Sequence, residues 1–334
     1  MTEQSRAVAG IPDRTGIERA AAKIAAILPP TPLLPLDLGG RAIWCKAECL
    51  QPIGAFKIRG AWHRLSDLSD IERAAGVVAF SSGNHAQGIA WSARRLGISA
   101  TIVMPADAPV AKMAATQALG AQIITYDRLT QSREAIAAAL AAERGATLVP
   151  SFDDPWVIEG QGSAGIEIIT QMRAQAGIAP DHLIIPCGGG GLASGCALAV
   201  PEARISVVEP EGWADMGESL RAGEIIPVGA NPPYTSCDAL QTTRVAGLTF
   251  GILRGRGATG VAVTEGEIGA AMTLAMTGLG LVLEPGGAVA LAAVLAGKVE
   301  IGDAAVVLLS GRNVDPARFA AMTGGSAGEH STAQ

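Results

Sequence analysis

Lys57 stands in Gly54-Ala55-Phe56-Lys57-Ile58-Arg59-Gly60, between two apolar side chains and among small residues. Partial desolvation in such a setting lowers the pKa of the amine and favours the neutral, nucleophilic form that a Schiff base requires. The same context also fits a solvated surface lysine, because apolar neighbours in sequence do not by themselves bury a residue. Much later, Leu183-Ile184-Ile185-Pro186-Cys187 reads as a strand, and Gly188, Gly189, Gly190 and Gly191 lead from it into a helix beginning near Leu192. A strand, a glycine loop and a helix start in succession form an anion cradle: backbone N–H groups can approach a phosphate, and the helix N-terminus adds positive potential. No Lys-Ser or Lys-Thr follows, so this is not a P-loop. The spacing departs from the dinucleotide G-x-G-x-x-G, although Glu209, about twenty residues on, keeps a nicotinamide dehydrogenase reading open. A tight turn without a ligand is the plain alternative, and the conformational cost of four glycines counts against it.

Ser81-Ser82-Gly83-Asn84-His85 supplies a third candidate, following a strand that ends at Phe80 and opening a helix near His85. Its backbone N–H groups and polar side chains could hold a carboxylate, with Asn84 contacting a cofactor hydroxyl. Ser and Asn are equally at home as ordinary N-caps. A serine hydrolase based on Ser82 and His85 is disfavoured, since the G-x-S-x-G elbow is absent.

The elements that must position these residues alternate. Short β-rich runs (76–80, 100–104, 122–125) interleave with helical ones (85–96, 109–119, 132–144), a pattern that predicts a parallel sheet with crossover helices. A second set follows: helix 155–175, strand 182–186, helix 192–200 and strand 205–209. A helix over 17–28 is stopped by Pro29 and Pro30, an open segment leads to a strand at 43–46, and the Gly- and Pro-rich stretch 211–256 reads as irregular loops. Thr264 and Glu267 form a capping-box pattern starting a helix through Met276, with a helix at 287–295 and a strand at 304–309 beyond it.

At 334 residues the chain is long enough for two cores. Hydrophobic residues make up 49% of it and the mean hydropathy is +0.32, but the apolar runs are short and broken, so no transmembrane span is expected. A net charge of -6 argues against a nucleic-acid surface, which needs a concentrated basic patch, and favours a small-molecule ligand. Residues 1–14 lack the pattern of a signal peptide, which makes the cytoplasm the expected compartment. Cys45, Cys49, Cys187, Cys196 and Cys237 form no C-x-x-C pair and are expected as buried thiols rather than disulfides or zinc ligands.

Taken together with Thr31-Pro32-Leu33, Lys46-Ala47-Glu48, Glu284-Pro285-Gly286-Gly287-Ala288 and Ser310-Gly311-Arg312-Asn313-Val314-Asp315, these segments resemble the fold type II pyridoxal-phosphate enzymes. The closer resemblance is to the threonine/serine dehydratase (ammonia-lyase) and serine racemase branch, because Ile58-Arg59 follows the lysine where cysteine synthase relatives carry Asp. The resemblance implies an α/β fold like the tryptophan synthase β chain, with two open, twisted, mostly parallel sheets flanked by helices. It implies a large domain over 1–65 and 151–323, a small inserted α/β domain over 66–150, a disordered tail over 324–334, and a homodimer.

By the same resemblance, Lys57 forms the Schiff base with pyridoxal 5'-phosphate and moves the Cα proton, and Phe56 backs the cofactor ring. Gly188, Gly189, Gly190 and Gly191 hold the phosphate, Asn84 bonds the ring hydroxyl and Ser310 faces the pyridine nitrogen. The substrate carboxylate falls to Ser81, Ser82, Gly83, Asn84 and His85, and Arg133 matches an arginine that reaches a distal carboxylate. Ser82 matches the serine that racemase-like members place opposite the lysine, which implies racemisation as a side activity. Glu209, Trp213 and Asp215 match a divalent-metal site whose oxygen donors suit Mg²⁺ or Ca²⁺. The implied reaction is loss of water from a 3-hydroxy amino acid to give a 2-oxo acid and ammonia. Threonine, serine and 3-hydroxyaspartate are the candidate substrates, and a non-catalytic cofactor or amino-acid sensor is the alternative of another class. Three positions depart from the family pattern: Ala55 replaces a serine, a mild change affecting one hydrogen bond near the cofactor, while Cys237-Asp238-Ala239 in place of Ala-Asp-Gly and Arg312 in place of a glycine bear on the substrate.

Overall fold

The computed structural model describes residues 10–81, 83–108 and 110–324. Ser82 and the tail segment 325–334 lie outside the described residues, and Gly324 closes the last helix. In chain order the first half comprises α1 (Arg14–Ala25), β1 (Leu33–Asp37), β2 (Ala42–Lys46), α2 (Lys57–Ser66), α3 (Asp70–Ala75), β3 (Val77–Phe80), α4 (Asn84–Leu96), β4 (Ala100–Pro105), α5 (Val110–Ala118), β5 (Gln122–Tyr126), α6 (Arg133–Arg144) and β6 (Thr147–Leu148). The second half comprises α7 (Pro155–Ala176), β7 (His182–Pro186), α8 (Gly191–Ala199), β8 (Arg204–Pro210), α9 (Asp215–Ala222), α10 (Gly247–Gly255), β9 (Thr259–Val263), α11 (Glu265–Leu279), α12 (Pro285–Leu295), β10 (Ala305–Leu308) and α13 (Pro316–Gly324).

Two compact units emerge, one drawn from residues up to Pro30, Gln51–Glu167 and Ser194–Val200, the other from Thr31–Leu50, Ile168–Ala193 and Pro201 onward. The first holds a four-stranded, wholly parallel sheet ordered β5-β4-β3-β6. Its strands read as continuous apolar runs because both faces are covered, with Val77, Ala79, Ile102 and Met104 packed against Leu65, Ile89 and Ala93. In the second unit a six-stranded sheet runs β1-β2-β10-β7-β8-β9, and only β1 against β2 is antiparallel. Ile184, Val307 and Val208 pack there against the alanine-rich α12 and against Ile268 and Met272 of α11. The α/β class with two mostly parallel sheets is thus the architecture the sequence predicts.

Several elements correct the sequence reading. The segment expected to be open holds β1, which tolerates Pro35 because it is an edge strand with one unpaired side. The stretch 211–256, expected to be irregular, contains α9 and α10, and a helix begins at Lys57 itself. The Thr264–Glu267 capping box is present, with Thr264 Oγ1 accepting from the Glu267 amide at 3.3 Å and Glu267 Oε2 from the Thr264 amide at 2.7 Å, and its helix runs on to Leu279.

Among the described residues no helix is long and apolar enough to cross a membrane. All five cysteines are free and buried, and burial pushes the thiols of Cys45, Cys49 and Cys237 up to about 12. At neutral pH an aromatic disulfide reagent should therefore find no more than about one reactive thiol in the native protein and all five after denaturation. Rapid titration of several thiols in the folded chain would contradict this packing.

Candidate active site

In the first unit, Lys57 opens α2, one residue after Phe56, whose backbone is already helical and provides no side-chain cap. Part of the Lys57 side chain reaches the surface, but the amine is enclosed by protein. Nζ donates to the Ser151 carbonyl at 2.8 Å and sits 5.1 Å from the centroid of the Phe56 ring. Desolvation lowers its pKa from 10.5 to about 8, so near physiological pH the neutral amine is far more populated than in a solvated lysine, with the protonated form still in the majority.

The loop after β3 leaves the carboxyl end of the sheet, where parallel α/β sheets place their ligands. Ser81 is anchored by its amide to the Val103 carbonyl at 3.1 Å, and its Oγ accepts from the Gly83 amide at 3.2 Å. Asn84 and His85 form the first turn of α4 and are buried. His85 Nε2 lies 2.9 Å from the Val149 carbonyl and therefore carries the proton, which leaves Nδ1 as an acceptor without a partner among the described residues. Burial, and then the charge of Lys57, depresses this imidazole to about 3, so it stays neutral. A neutral ring with only an acceptor free gives a carboxylate nothing; from His85, only the backbone N–H at the start of α4 is suited to that task.

Two cations accompany this loop. Arg133, at the start of α6, lies over the Phe80 ring with Cζ 5.7 Å from the centroid and donates from Nε to Glu134 Oε1 at 2.8 Å. The stem of Lys112 on α5 passes Gly83, its Cδ and Nζ each 3.4 Å from where a Gly83 Cβ would stand. The sequence singles out Arg133 but not Lys112, which carries no local signal beyond being a helical lysine.

In the second unit the register of β7, β10 and β8 brings three predicted groups to one end of the sheet. Val307 pairs with Ile184 and Val208 with Pro186, so Ser310, the glycine loop and Glu209 all lie at or just past the carboxyl ends of neighbouring parallel strands. Gly190 has φ +85, and a Cβ there would stand 2.7 Å from Met216 Cε and 3.1 Å from Thr249 Cβ, so both the turn and the packing require glycine. One residue later Gly191 starts α8, whose free amides face the loop end. Ser310 is buried, with its amide 3.4 Å from the Gly287 carbonyl. The Ala239 methyl lies 3.6 Å from where a Gly286 Cβ would stand and the Ala239 carbonyl 3.5 Å from the Gly188 equivalent, while Arg312 is tied through Nη1 to the Cys49 carbonyl at 2.7 Å.

Glu209, at the end of β8, accepts from the amides of Met216 and Gly217 at 3.1 and 2.8 Å. Asp215 opens α9 buried, with neither carboxylate oxygen hydrogen-bonded to a described residue. Burial pushes Asp215 up to about 7, and burial together with the nearby Asp215 holds Glu209 well above the usual carboxylate range. The Trp213 indole donates to the Pro233 carbonyl at 2.8 Å. No cluster of three or more His, Cys, Asp or Glu side chains suited to a metal occurs among the described residues, so a cation here would depend on two carboxylates and backbone oxygen.

Residues 24–311 match the profile of the family described as pyridoxal-phosphate dependent enzyme. The chain belongs to that family. It is 43% identical over 294 residues to an L-threo-3-hydroxyaspartate ammonia-lyase of Saccharomyces cerevisiae, a match covering 86% of this chain and 88% of the relative. A serine racemase of Schizosaccharomyces pombe is 39% identical, with 83% of this chain and 85% of the relative covered. A solved threonine deaminase, from the organism abbreviated T.th., superposes with a TM-score of 0.84 at 40% identity, over 91% of this chain and 99% of that one. Enzymes of this family use pyridoxal 5'-phosphate, and the chain has groups that fit it: a desolvated amine to condense with its aldehyde, and a glycine turn at a helix N-terminus, closed to side chains, to receive its phosphate.

The depressed amine also sets a pH dependence. Between about 8 and 10.5 the unfolded chain keeps the Lys57 proton and the folded chain has lost it, so stability rises with pH across that window. Below about 8 both states are protonated and the cost of burying the charge is felt in full. In cofactor-free protein, the denaturation free energy of wild type minus that of Lys57→Met should climb through this window; a difference that stays flat with pH would show the amine to be solvated.

Proposed function

We propose that this protein is an ammonia-lyase that removes water from a 3-hydroxy amino acid and releases a 2-oxo acid and ammonia. The observation that carries the proposal is the enclosed amine of Lys57, its pKa lowered to about 8 by burial, held by the Ser151 carbonyl on an intact cofactor-type lysine segment; the ammonia-lyase and deaminase relatives support it. Pyridoxal phosphate, when bound, withdraws electrons from the substrate's Cα and so acidifies its proton.

The chain's own residues do the rest. Lys57, with Phe56 beside it, accepts the Cα proton on Nζ. Amides of Gly188, Gly189, Gly190 and Gly191 hold the phosphate, and Asn84 orients the ring through its hydroxyl. Ser81, Gly83, Asn84 and His85 hold the substrate carboxylate at the start of α4. Ser310 presents a neutral hydroxyl to the pyridine nitrogen, which leaves that nitrogen largely unprotonated and limits how long charge persists at Cα. The C–O bond then breaks, the leaving hydroxide takes the proton that Lys57 Nζ accepted from Cα and departs as water, and the enamine product hydrolyses to the 2-oxo acid and ammonia. Ser82, proposed on resemblance alone, acts from the opposite face and supports racemisation. Glu209, the Trp213 carbonyl and Asp215 bind Mg²⁺ or Ca²⁺, a role that fits the buried, unpartnered carboxylate of Asp215. A homodimer belongs to the same proposal.

Lys112 and Arg133 beside the carboxylate loop favour 3-hydroxyaspartate over threonine and serine, since a second carboxylate needs a second cation. Reconstituted wild type should absorb at about 410–420 nm and Lys57→Ala should not; a protein that stays colourless with the cofactor would refute the enzyme reading. In a panel of L- and D-serine, threonine and 3-hydroxyaspartate, 2-oxo acid should form from at least one, and Lys112→Ala should raise KM for the dicarboxylic substrate by about tenfold, with little change for serine. Binding without turnover of any member would point to a sensor. Ser82→Ala should suppress enantiomer interconversion, and unchanged interconversion removes Ser82 from the mechanism. Added Ca²⁺ or Mg²⁺ should raise the melting temperature of wild type but not of Asp215→Asn.

A further inference from the structure

The first turn of α2 carries a second buried cation. Arg59 is fully buried, and its guanidinium grips both oxygens of Glu167, Nη1 to Oε1 at 2.7 Å and Nη2 to Oε2 at 2.8 Å. Nη1 also donates to Ser163 Oγ at 3.1 Å, and that hydroxyl donates to the Gly160 carbonyl at 2.7 Å. Glu167, Ser163 and Gly160 all lie on α7. A buried ion pair is a poor device for stability alone, because desolvating two charges offsets most of what their attraction returns and a well-packed apolar pair often does better. What a bidentate arginine–carboxylate pair supplies is geometry: the planar fork fixes both distance and rotation.

The backbone around it is equally constrained. A Cβ on Gly60 would stand 2.7 Å from the Val157 carbonyl, and one on Gly160 would stand 2.7 Å from the Arg59 carbonyl, so α2 and α7 meet backbone to backbone one turn after Lys57. The Gly60 amide donates to Gln161 Oε1 at 3.2 Å. On another side α4 closes in, with Gly88 placed so that a Cβ would lie 3.0 Å from the Lys57 carbonyl. The segment that receives the Lys57 amine, at the Ser151 carbonyl, leads directly into α7, and Asp154 ties it down by accepting from Arg64 Nε at 3.2 Å and from the Val157 amide at 2.9 Å. Residues 151–167 thus hold both the amine and the guanidinium.

We infer that Arg59 and Glu167 are positioning residues for Lys57: their bidentate pair sets the rotation of α2 against α7, so that the amine is delivered to the Ser151 carbonyl.

This inference rests on Lys57 being the reactive lysine, and its test does not need turnover. Cofactor-free protein is reductively methylated with formaldehyde and borohydride across the pH range around 8, and labelling at Lys57 is followed by peptide mass spectrometry with surface Lys298 as internal reference. Wild type should reach half-maximal labelling at Lys57 near pH 8. Glu167→Gln keeps the side chain's shape but weakens the fork, and should change the labelling rate at Lys57 relative to Lys298 by about threefold. Arg59→Lys keeps the charge but loses the fork: its midpoint should stay, its labelling rate relative to Lys298 should change by at least about threefold, and kcat in the holoenzyme should fall about tenfold with KM little altered. Ser163→Ala, the mildest change, should alter the labelling rate in the same direction and covers the case in which Arg59→Lys does not fold. Variants that melt earlier but label at Lys57 as wild type does would reduce the pair to a structural tie and overturn the inference. Shifted labelling in a protein that turns over none of the hydroxy amino acids would leave the inference standing and remove the lyase reading instead.

Discussion

The withdrawal of one amine from water is the constraint on which the chemistry depends. The pKa of Lys57 is held near 8 by desolvation alone, with a single backbone carbonyl, that of Ser151, as the partner of its amine. Had a carboxylate been placed there, the amine would have been stabilised as a cation and lost as a nucleophile. The first unit contains acids in number, but it sets them against other cations: Glu167 against Arg59, Asp154 against Arg64, and Glu159 against Arg19.

Neutrality near the amine is maintained in a second way. His85 is close enough to feel the Lys57 charge, and burial together with that charge keeps the imidazole unprotonated across the working range. A protonated imidazole would push the amine pKa lower still and would offer the substrate carboxylate a competing cation. With its Nε2 proton committed to the Val149 carbonyl, the ring ties the first turn of α4 to the segment after β6 and leaves the amides of that turn as the donors there.

How much of this was legible in the sequence follows from how each element is held. A capping side chain announced α6 through Ser132 and α11 through the Thr264–Glu267 box, but the Ser69–Glu72 box that opens the short α3 was passed over. Of the other helices missed, α2, α9 and α10 follow Phe56, Ala214 and Ala246, none of which caps with a side chain; packing rather than local chemistry starts them. In β1, Pro35 hid a strand that only its edge position permits. The cofactor-type segments were readable because their chemistry is local: a glycine run after a strand, a polar turn before a helix, a lysine between apolar neighbours. The Arg59–Glu167 pair was not, since its members lie 108 residues apart and nothing in either neighbourhood names the other.

Substrate choice belongs to the same long-range class. Ala239 and Arg312 depart from the family pattern in segments that converge near the glycine loop and Cys49, and Lys112 reaches Gly83 from a separate helix. Arg312 is already engaged by a backbone carbonyl, which holds its guanidinium in place, whereas Arg133 pairs with the partly exposed Glu134, an interaction worth little in water. A cation held so weakly can be recruited by an incoming carboxylate at small cost, and one anchored to a buried carbonyl cannot. On the proposed reading, in which a 3-hydroxyaspartate carboxylate must find a cation, that difference favours Arg133 over Arg312.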